Sequence, residues 1–507
     1  MRTMIFGTLI ICLLLPLLAF PVCAELVTAD DARSVAQNWV ALTIRHQGDW
    51  GGSPTAQIGE IQEFMQGDRL IGYFCPVSPQ GFLVIPLRRE LAPVKAYSDT
   101  SNLDPDSDEG TAGLIKEQMA ENIDTIEKEA GPVESVSSAA VTSLIEVNYL
   151  GSWDVLDTSS SAFETGIQRM EADSNYQQGG ILLTSSWSQG YPYYNQCPAP
   201  VSGFCTNLHC AAGCGPVMAG QVMRYWSWPP YRDPDQPYNW PRMFNQSRSN
   251  GSRWVDEFGN PINQASMDAV ARLLHEIGVE AGADYCGGDS GPCSTGTHFA
   301  NYAGKDILDT FEDHFRYSTN ADDRYRNDYS ESEWFNLIKY QINANRPIPY
   351  RINGHDIVCD GWRELYVGDT LAKLYHMNYG WDNSRNTWWQ VGTLYLGGTD
   401  YEAILESIYP AQALGNSISG TYSLQSFPYR YFDQDTDGNS ATFSAGQYLQ
   451  FLPGITASCR SGTGTAIRFE GTSSANTRLF TRGDPSQGLH IYAGTLKMYP
   501  GGSVRFL

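Results

Sequence analysis

The stretch GCGPVMAGQVMRYWSWP, Gly213 to Pro229, decides how the rest of the chain is read. Glycines bracket Cys214, Pro216 comes next, and an apolar, Met-rich pattern at helical spacing runs to Trp226. Proline is tolerated in a first helical turn, where its missing N–H has no partner to lose. The spacing therefore predicts a helix that opens at Cys214. A helix N-terminus carries partial positive charge and lowers a thiol pKa, so this position suits a reactive cysteine. Taken alone, the stretch fits a disulfide cysteine equally well.

Two further blocks change that balance. His355 lies 141 positions beyond Cys214, in Gly354-His-Asp-Ile-Val-Cys-Asp-Gly361. Asn378 stands 23 positions later, in His376-Met-Asn-Tyr-Gly-Trp381. A thiolate–imidazolium pair needs a third group to hold the ring, and an Asn carbonyl serves. Upstream, Trp187-Ser-Gln189-Gly-Tyr-Pro192-Tyr-Tyr-Asn195 offers Gln189 as a side-chain donor for a tetrahedral oxyanion.

These four blocks, in this order, resemble the streptopain family of papain-like secreted bacterial cysteine peptidases. Trp187, Gln189, Pro192 and Asn195 match the first block. Gly213, Cys214, Gln221, Met223, Tyr225 and Pro229 match the second, and Gly354, His355, Asp360 and Gly361 the third. His376, Asn378, Gly380 and Trp381 match the fourth. The resemblance implies Cys214 as nucleophile, His355 as general acid/base, Gln189 as oxyanion donor and Asn378 as support for the ring. It also implies that Trp381 shields the active-site hydrogen bonds. Trp187, Tyr285, Ser290, Ser294 and Tyr379 are the implied substrate contacts, with a hydrophobic P2 residue as the family's preference. Two departures stand out: Gly215-Pro-Val-Met218 replaces the usual Val-Ala-Thr-Ala, and Tyr379 stands where streptopain has Trp.

The rest of the chain fits an exported protein. A basic start at Arg2, an apolar run Ile5–Phe20 and small residues up to Ala24 predict a signal peptide cleaved after Ala24. The run is too short and proline-broken for an anchor. Phe20-Pro-Val22 lacks the small residue that precedes a lipidated cysteine. With 56 acidic against 33 basic residues, a nucleic-acid partner is excluded as an expectation. Of the 11 cysteines, Cys12 and Cys23 fall in the leader, leaving an odd set that allows one free thiol. Cys197, Cys205 and Cys210 are expected in disulfides among themselves or with Cys359. Cys286 and Cys293 are spaced to close a small loop of their own.

The expected fold class is α+β, divided as a signal peptide (1–24), an α+β inhibitory propeptide (25–178), a papain-like catalytic domain of two halves (179–414) and a small all-β module (415–507). In the propeptide, Thr28-Ala-Asp-Asp31 starts a helix, Gly81–Ile85 is a strand, and a helix from Thr111 is stopped by Gly131-Pro132. The polar stretch Ala172–Gly180 reads as a cleavable linker, with processing between Gln177 and Ile181. No cofactor or metal is required, only a reduced Cys214. The partners are protein or peptide substrates and the chain's own propeptide, acting as an intramolecular inhibitor on a monomer. Location is extracellular or periplasmic.

Three other readings compete. Cys205, His209, Cys210 and Cys214 suggest a metal cluster, though the spacing is loose. Asp433-Gln-Asp-Thr-Asp-Gly438 resembles the start of a calcium loop, but its twelfth position is Ser444 and no helices flank it. An inactive peptidase fold used as an extracellular binding module is the third.

Overall fold

The computed structural model describes residues 26–410, apart from breaks at 171–176, 202–203, 230, 234, 289–290, 303, 369, 383–385 and 391–401. Beyond 410 it describes strand segments between 417 and 498. The chain is α+β.

The N-terminal unit begins as its sequence asks. Thr28 and Asp31 form a reciprocal capping box that opens the helix Ala29–Gln47, and Gly48 closes it in the left-handed region at φ 93°. The helix Gly110–Glu129 buries Ile115, Met119, Ile123 and Ile126, and ends where Gly131 turns at φ 117°. Helices Leu150–Leu156 and Ser160–Met170, which periodicity did not single out, come next. The first packs under the helix Ala29–Gln47, with Trp153 and Leu156 buried.

One antiparallel sheet joins this unit to the remainder of the chain up to 410. Strands Arg69–Ser78, Phe82–Pro86 and Ala96–Ser98 lead through Tyr97↔Trp388 and Ala96↔Trp389 into Thr387–Gln390. Thr370–Asn378, His355–Val367, Ile348–Ile352, Ala403–Glu406 and Asp322–Tyr325 continue it. His355–Val367 is a thirteen-residue strand, far longer than the apolar run Ile357–Cys359 alone suggests, and is buried over most of its length. That burial explains why the signal was weak: a strand covered on both faces reads as a continuous apolar run, not as alternation. The helix Cys214–Trp226 packs on it, and Glu331–Asn343, opened by a Ser330/Glu333 capping box, also lies against it.

Part of the expected linker is a strand. Gln177–Gly180 forms a strand paired with Gly361–Glu364, while 171–176 lies outside the described residues. After 410, the described segments are all strands, from Ser417–Tyr422 to Leu496–Met498, and they pair in parallel. Within the calcium-like stretch, Thr436–Phe443 is a strand, and 433–435 lies outside the described residues.

Candidate active site

Cys214 opens the helix Cys214–Trp226, with Gly213 before it at φ 91°. That conformation favours glycine, and it turns the chain so that the cysteine faces the helix mouth. The sulfur lies against the backbone N–H groups of Cys214, Gly215 and Asp356. Three inward-pointing donors at a helix start make a pocket suited to an anion. Burial and the neighbouring Asp356 carboxylate nonetheless push the thiol up to about 12.

His355 starts the adjoining strand and is 6% exposed. Its Nε2 donates to the carbonyl of Tyr379 at 2.9 Å. A carbonyl only accepts, so the proton sits on Nε2 and Nδ1 is left as the basic nitrogen. The ring stacks on Trp381, centroids 4.1 Å apart and 16° from parallel, and Tyr379 stacks behind at 5.7 Å. Burial holds His355 down to about 4. Among the described residues no hydrogen bond joins Cys214 to His355, and burial disfavours the charged form of each.

The role expected of Asn378 falls elsewhere, and this corrects the sequence reading. Its amide donates to Ser185 O at 2.8 Å, and its Oδ1 accepts from Gly380 N at 3.1 Å and Gln221 Nε2 at 3.2 Å. Asn378 thus folds the 378–381 turn, and it is the turn's Tyr379 carbonyl that holds the imidazole. Gln221 completes the link, accepting from Trp187 N at 3.0 Å. It is fully buried in an otherwise apolar helix face, which is the sequence signal that it had a partner.

The other expected residues divide. Gln189 O accepts from Ala212 N at 2.9 Å, which brings Gln189 beside the approach to Cys214. Trp187 is fully buried and donates to Phe244 O, and Tyr379 is 1% exposed; both pack inside rather than line an open groove. The Ser294 hydroxyl donates within its own loop, to Gly288 O and Gly291 O. Tyr285 is half-buried against His275, and Ser290 lies outside the described residues. Asp356 was passed over by the sequence reading.

The cysteine pairing also differs from expectation. Cys286 and Cys293 do not join each other: the disulfides are Cys205–Cys293 and Cys210–Cys286. Cys197 and Cys359 are free and buried. The metal-cluster reading loses Cys205 and Cys210 to these bonds. Both bonds tie the 205–210 loop to the 286–293 loop. The stretch of chain between them and Cys214 is further held by Ala211 N→Cys293 O at 2.9 Å and Thr295 Oγ1→Ala211 O at 2.6 Å. A non-reduced peptide map is expected to show 205–293 and 210–286 linkages; a 286–293 link would contradict this clamp.

Residues 187–389 match the Peptidase C10 family model. Streptopain from Streptococcus pyogenes serotype M28 (strain MGAS6180) is 21% identical over 392 residues, covering 72% of this chain and 85% of streptopain. Streptopain from serotype M1 aligns over the same shares at the same identity. Among solved structures, a mutant fragment of Prevotella intermedia prointerpain A is 17% identical, with a TM-score of 0.49 over 70% of this chain and 99% of that one. Residues 187–389 are thus similar to the Peptidase C10 family of cysteine peptidases, and the chain is similar to streptopain over 72% of its length.

Proposed function

We propose that the chain is an exported cysteine endopeptidase made as a zymogen. Residues 1–24 are its signal, 25–178 its inhibitory propeptide, 179–414 its catalytic domain and 415–507 an accessory β module. The observation that carries this reading is the cysteine at the mouth of the 214–226 helix, its sulfur among three backbone N–H groups, beside a strand that begins with His355 stacked under Trp381.

In the reaction, Nδ1 of His355 takes the Cys214 proton. The thiolate attacks a peptide carbonyl, and the oxyanion is held by the Cys214 backbone N–H and the Gln189 amide. The imidazolium returns the proton to the departing amine, leaving a thioester. Water, deprotonated by His355, releases the acid and restores the thiol. No cofactor enters.

Latency is supported by two features. The N-terminal unit is bonded into the same sheet through Tyr97↔Trp388, and its Glu121 accepts from Asn353, two residues before His355. With the thiol near 12 and the imidazole near 4, neither partner is charged at neutral pH, so the intact chain is held in an unreactive state. Processing must bring His355 onto the sulfur.

The test is the rate at which a small uncharged alkylating agent labels Cys214 at neutral pH, before and after the 171–180 segment is cut. A rise of roughly a hundredfold or more, together with cleavage of unfolded casein, is expected. Buried Cys75, Cys197 and Cys359 serve as internal controls. A cut chain whose Cys214 stays inert and which leaves casein whole would overturn the reading in favour of a binding module.

A further inference from the structure

The reaction above makes no use of the two disulfides, yet both close on the chain's approach to the nucleophile. Cys205 is joined to Cys293 and Cys210 to Cys286. From Cys210 the chain passes through Ala211, Ala212 and Gly213 directly into Cys214. Each of these linking residues is held from outside. Cys210 N donates to Pro198 O at 2.9 Å and Ala211 N to Cys293 O at 2.9 Å. Thr295 Oγ1 donates to Ala211 O at 2.6 Å. Ala212 N donates to Gln189 O at 2.9 Å. A Cβ on Gly213 would stand 3.2 Å from Thr295 Cγ2 and 3.3 Å from Thr295 O, so Thr295 lies against the residue that turns into the helix. The loop that supplies Cys293 and Thr295 is itself tied across its neck, Asp284 N→Gly296 O at 2.9 Å and Gly288 N→Ser294 O at 3.1 Å.

Residues 210–213 belong to no helix or strand, so these cross-links and hydrogen bonds are what set their place. The same bonds run from Cys293 through Ala211 and Ala212 to Gln189, and so connect the two oxyanion donors, the Cys214 N–H and the Gln189 amide. Such donors act only at about 3 Å from the place the oxyanion will occupy. A displacement of about 1 Å costs on the order of a hundredfold in rate. The thiol depends on other things. It answers to His355 and to the helix, whose Val217, Met218, Val222 and Met223 are buried on their own account. The bonds span 88 and 76 positions, so they also stabilise the fold by constraining the unfolded chain. Stability and positioning therefore have to be read separately.

We propose that Cys205, Cys210, Cys286 and Cys293 are positioning residues for the oxyanion hole of the Cys214 site, so that opening their disulfides disables acyl transfer while the thiol stays reactive. The assignment rests on the peptidase reading above. It places two opposite redox demands on one site: Cys214 must be reduced to attack, and the clamp must be oxidised to hold the donors. A dithiol reductant opens each bond with two electrons. One of its thiolates attacks a cysteine sulfur and displaces the other as a thiolate, its second thiol then closes the reductant into a ring, and two cysteine thiols remain. Cys205 and Cys210 are buried, whereas Cys286 and Cys293 are half-buried and give the reductant its point of attack. Activity therefore rises with mild reductant, which keeps Cys214 free, and falls again once the clamp opens.

The experiment uses the chain purified without its leader and processed at the 171–180 segment. It is kept either in a monothiol that leaves both linkages closed, as a non-reduced peptide map reports, or in a dithiol that opens them. The readouts are kcat and KM on one peptide amide, and the rate at which a small uncharged alkylating agent labels Cys214. Opening the clamp is expected to lower kcat by roughly tenfold to a hundredfold, with KM and the labelling rate changed by less than about threefold. Reclosure with oxidised glutathione, checked by the same map and followed by monothiol, is expected to restore kcat. Cys205→Ser/Cys293→Ser and Cys210→Ser/Cys286→Ser should each show the lowered kcat with no dithiol present. An unchanged kcat with the clamp open overturns the assignment. So does a parallel fall of kcat and labelling, the mark of a clamp that only stabilises the fold. If the clamped protein cleaves no peptide, the peptidase reading fails. Amide hydrogen exchange at Ala211 and Ala212 in Cys214→Ala then decides the clamp assignment by itself. Exchange quickened roughly tenfold or more on opening sustains it, and exchange blind to the clamp overturns it.

Discussion

Cys214→Ala is expected to leave the chain at full length and to lower casein cleavage by roughly 10⁴-fold or more. The size stems from chemistry rather than packing. The sulfur is the one atom at the mouth of the 214–226 helix that can form the thioester, and the three N–H groups around it stabilise only an anion. Alanine removes little volume from a half-buried position next to Gly213 and Gly215, so the fold should survive. Intact mass separates two consequences. If processing is the enzyme's own act, the variant retains its N-terminal residues indefinitely while the unmutated chain loses about 150 of them through a cut in the 171–180 segment. If the variant is still processed yet remains inert, the cut is made by another peptidase and the catalytic role stands. A variant as active as the parent would remove Cys214 from the chemistry altogether.

The same site shows which features a sequence reveals. The local structure around Cys214, His355 and Trp381 was legible because each stands in a block whose glycines and aromatics have a backbone purpose. Gly213 turns at φ 91°, and Gly380 turns at φ 67° with no room for a Cβ against Val217. Helix starts with reciprocal caps were legible for the same local reason. What was not legible depends on which segments meet. Asn378 reads as a partner for the imidazole because the two are suitably spaced, but the turn presents the Tyr379 carbonyl instead. The disulfides were misassigned because nearness in sequence suggested Cys286 with Cys293, whereas the 205–210 loop folds between them in space. Asp356 was hidden because an acid within an apolar strand run looks like an ordinary polar interruption until the helix mouth is seen to lie beside it. The single sheet shared by the two units was also invisible, since Ala96–Ser98 is three residues long and makes its bonds across nearly three hundred positions.

Glu90→Ala is expected to destabilise the N-terminal unit by about 3–5 kcal/mol, the cost of leaving one partner of a buried ion pair alone. Arg88 is fully buried and Glu90 is 2% exposed. The guanidinium grips the carboxylate with two bonds, Nε to Oε2 at 2.9 Å and a terminal nitrogen to Oε1 at 2.7 Å. Its other contacts are backbone carbonyls, Val133 at 2.7 Å and Val136 at 3.3 Å, which tie the end of the Phe82–Pro86 strand to the segment after the Gly110–Glu129 helix. Alanine keeps those carbonyl bonds but strands a full positive charge away from water. The Cys214→Ala background is the place to measure this, because self-cleavage cannot then intervene. There, the thermal transition of the N-terminal unit should fall by roughly 10 °C. Replacing the pair together, with Arg88→Met and Glu90→Leu, should recover most of the loss, since an apolar pair of similar volume strands no charge. In the unmutated-cysteine background the weakened unit should release the sheet contact at Tyr97↔Trp388 more often, and processing should quicken. A Glu90→Ala chain that melts and matures like its parent would mean that the Arg88–Glu90 pair contributes nothing to latency.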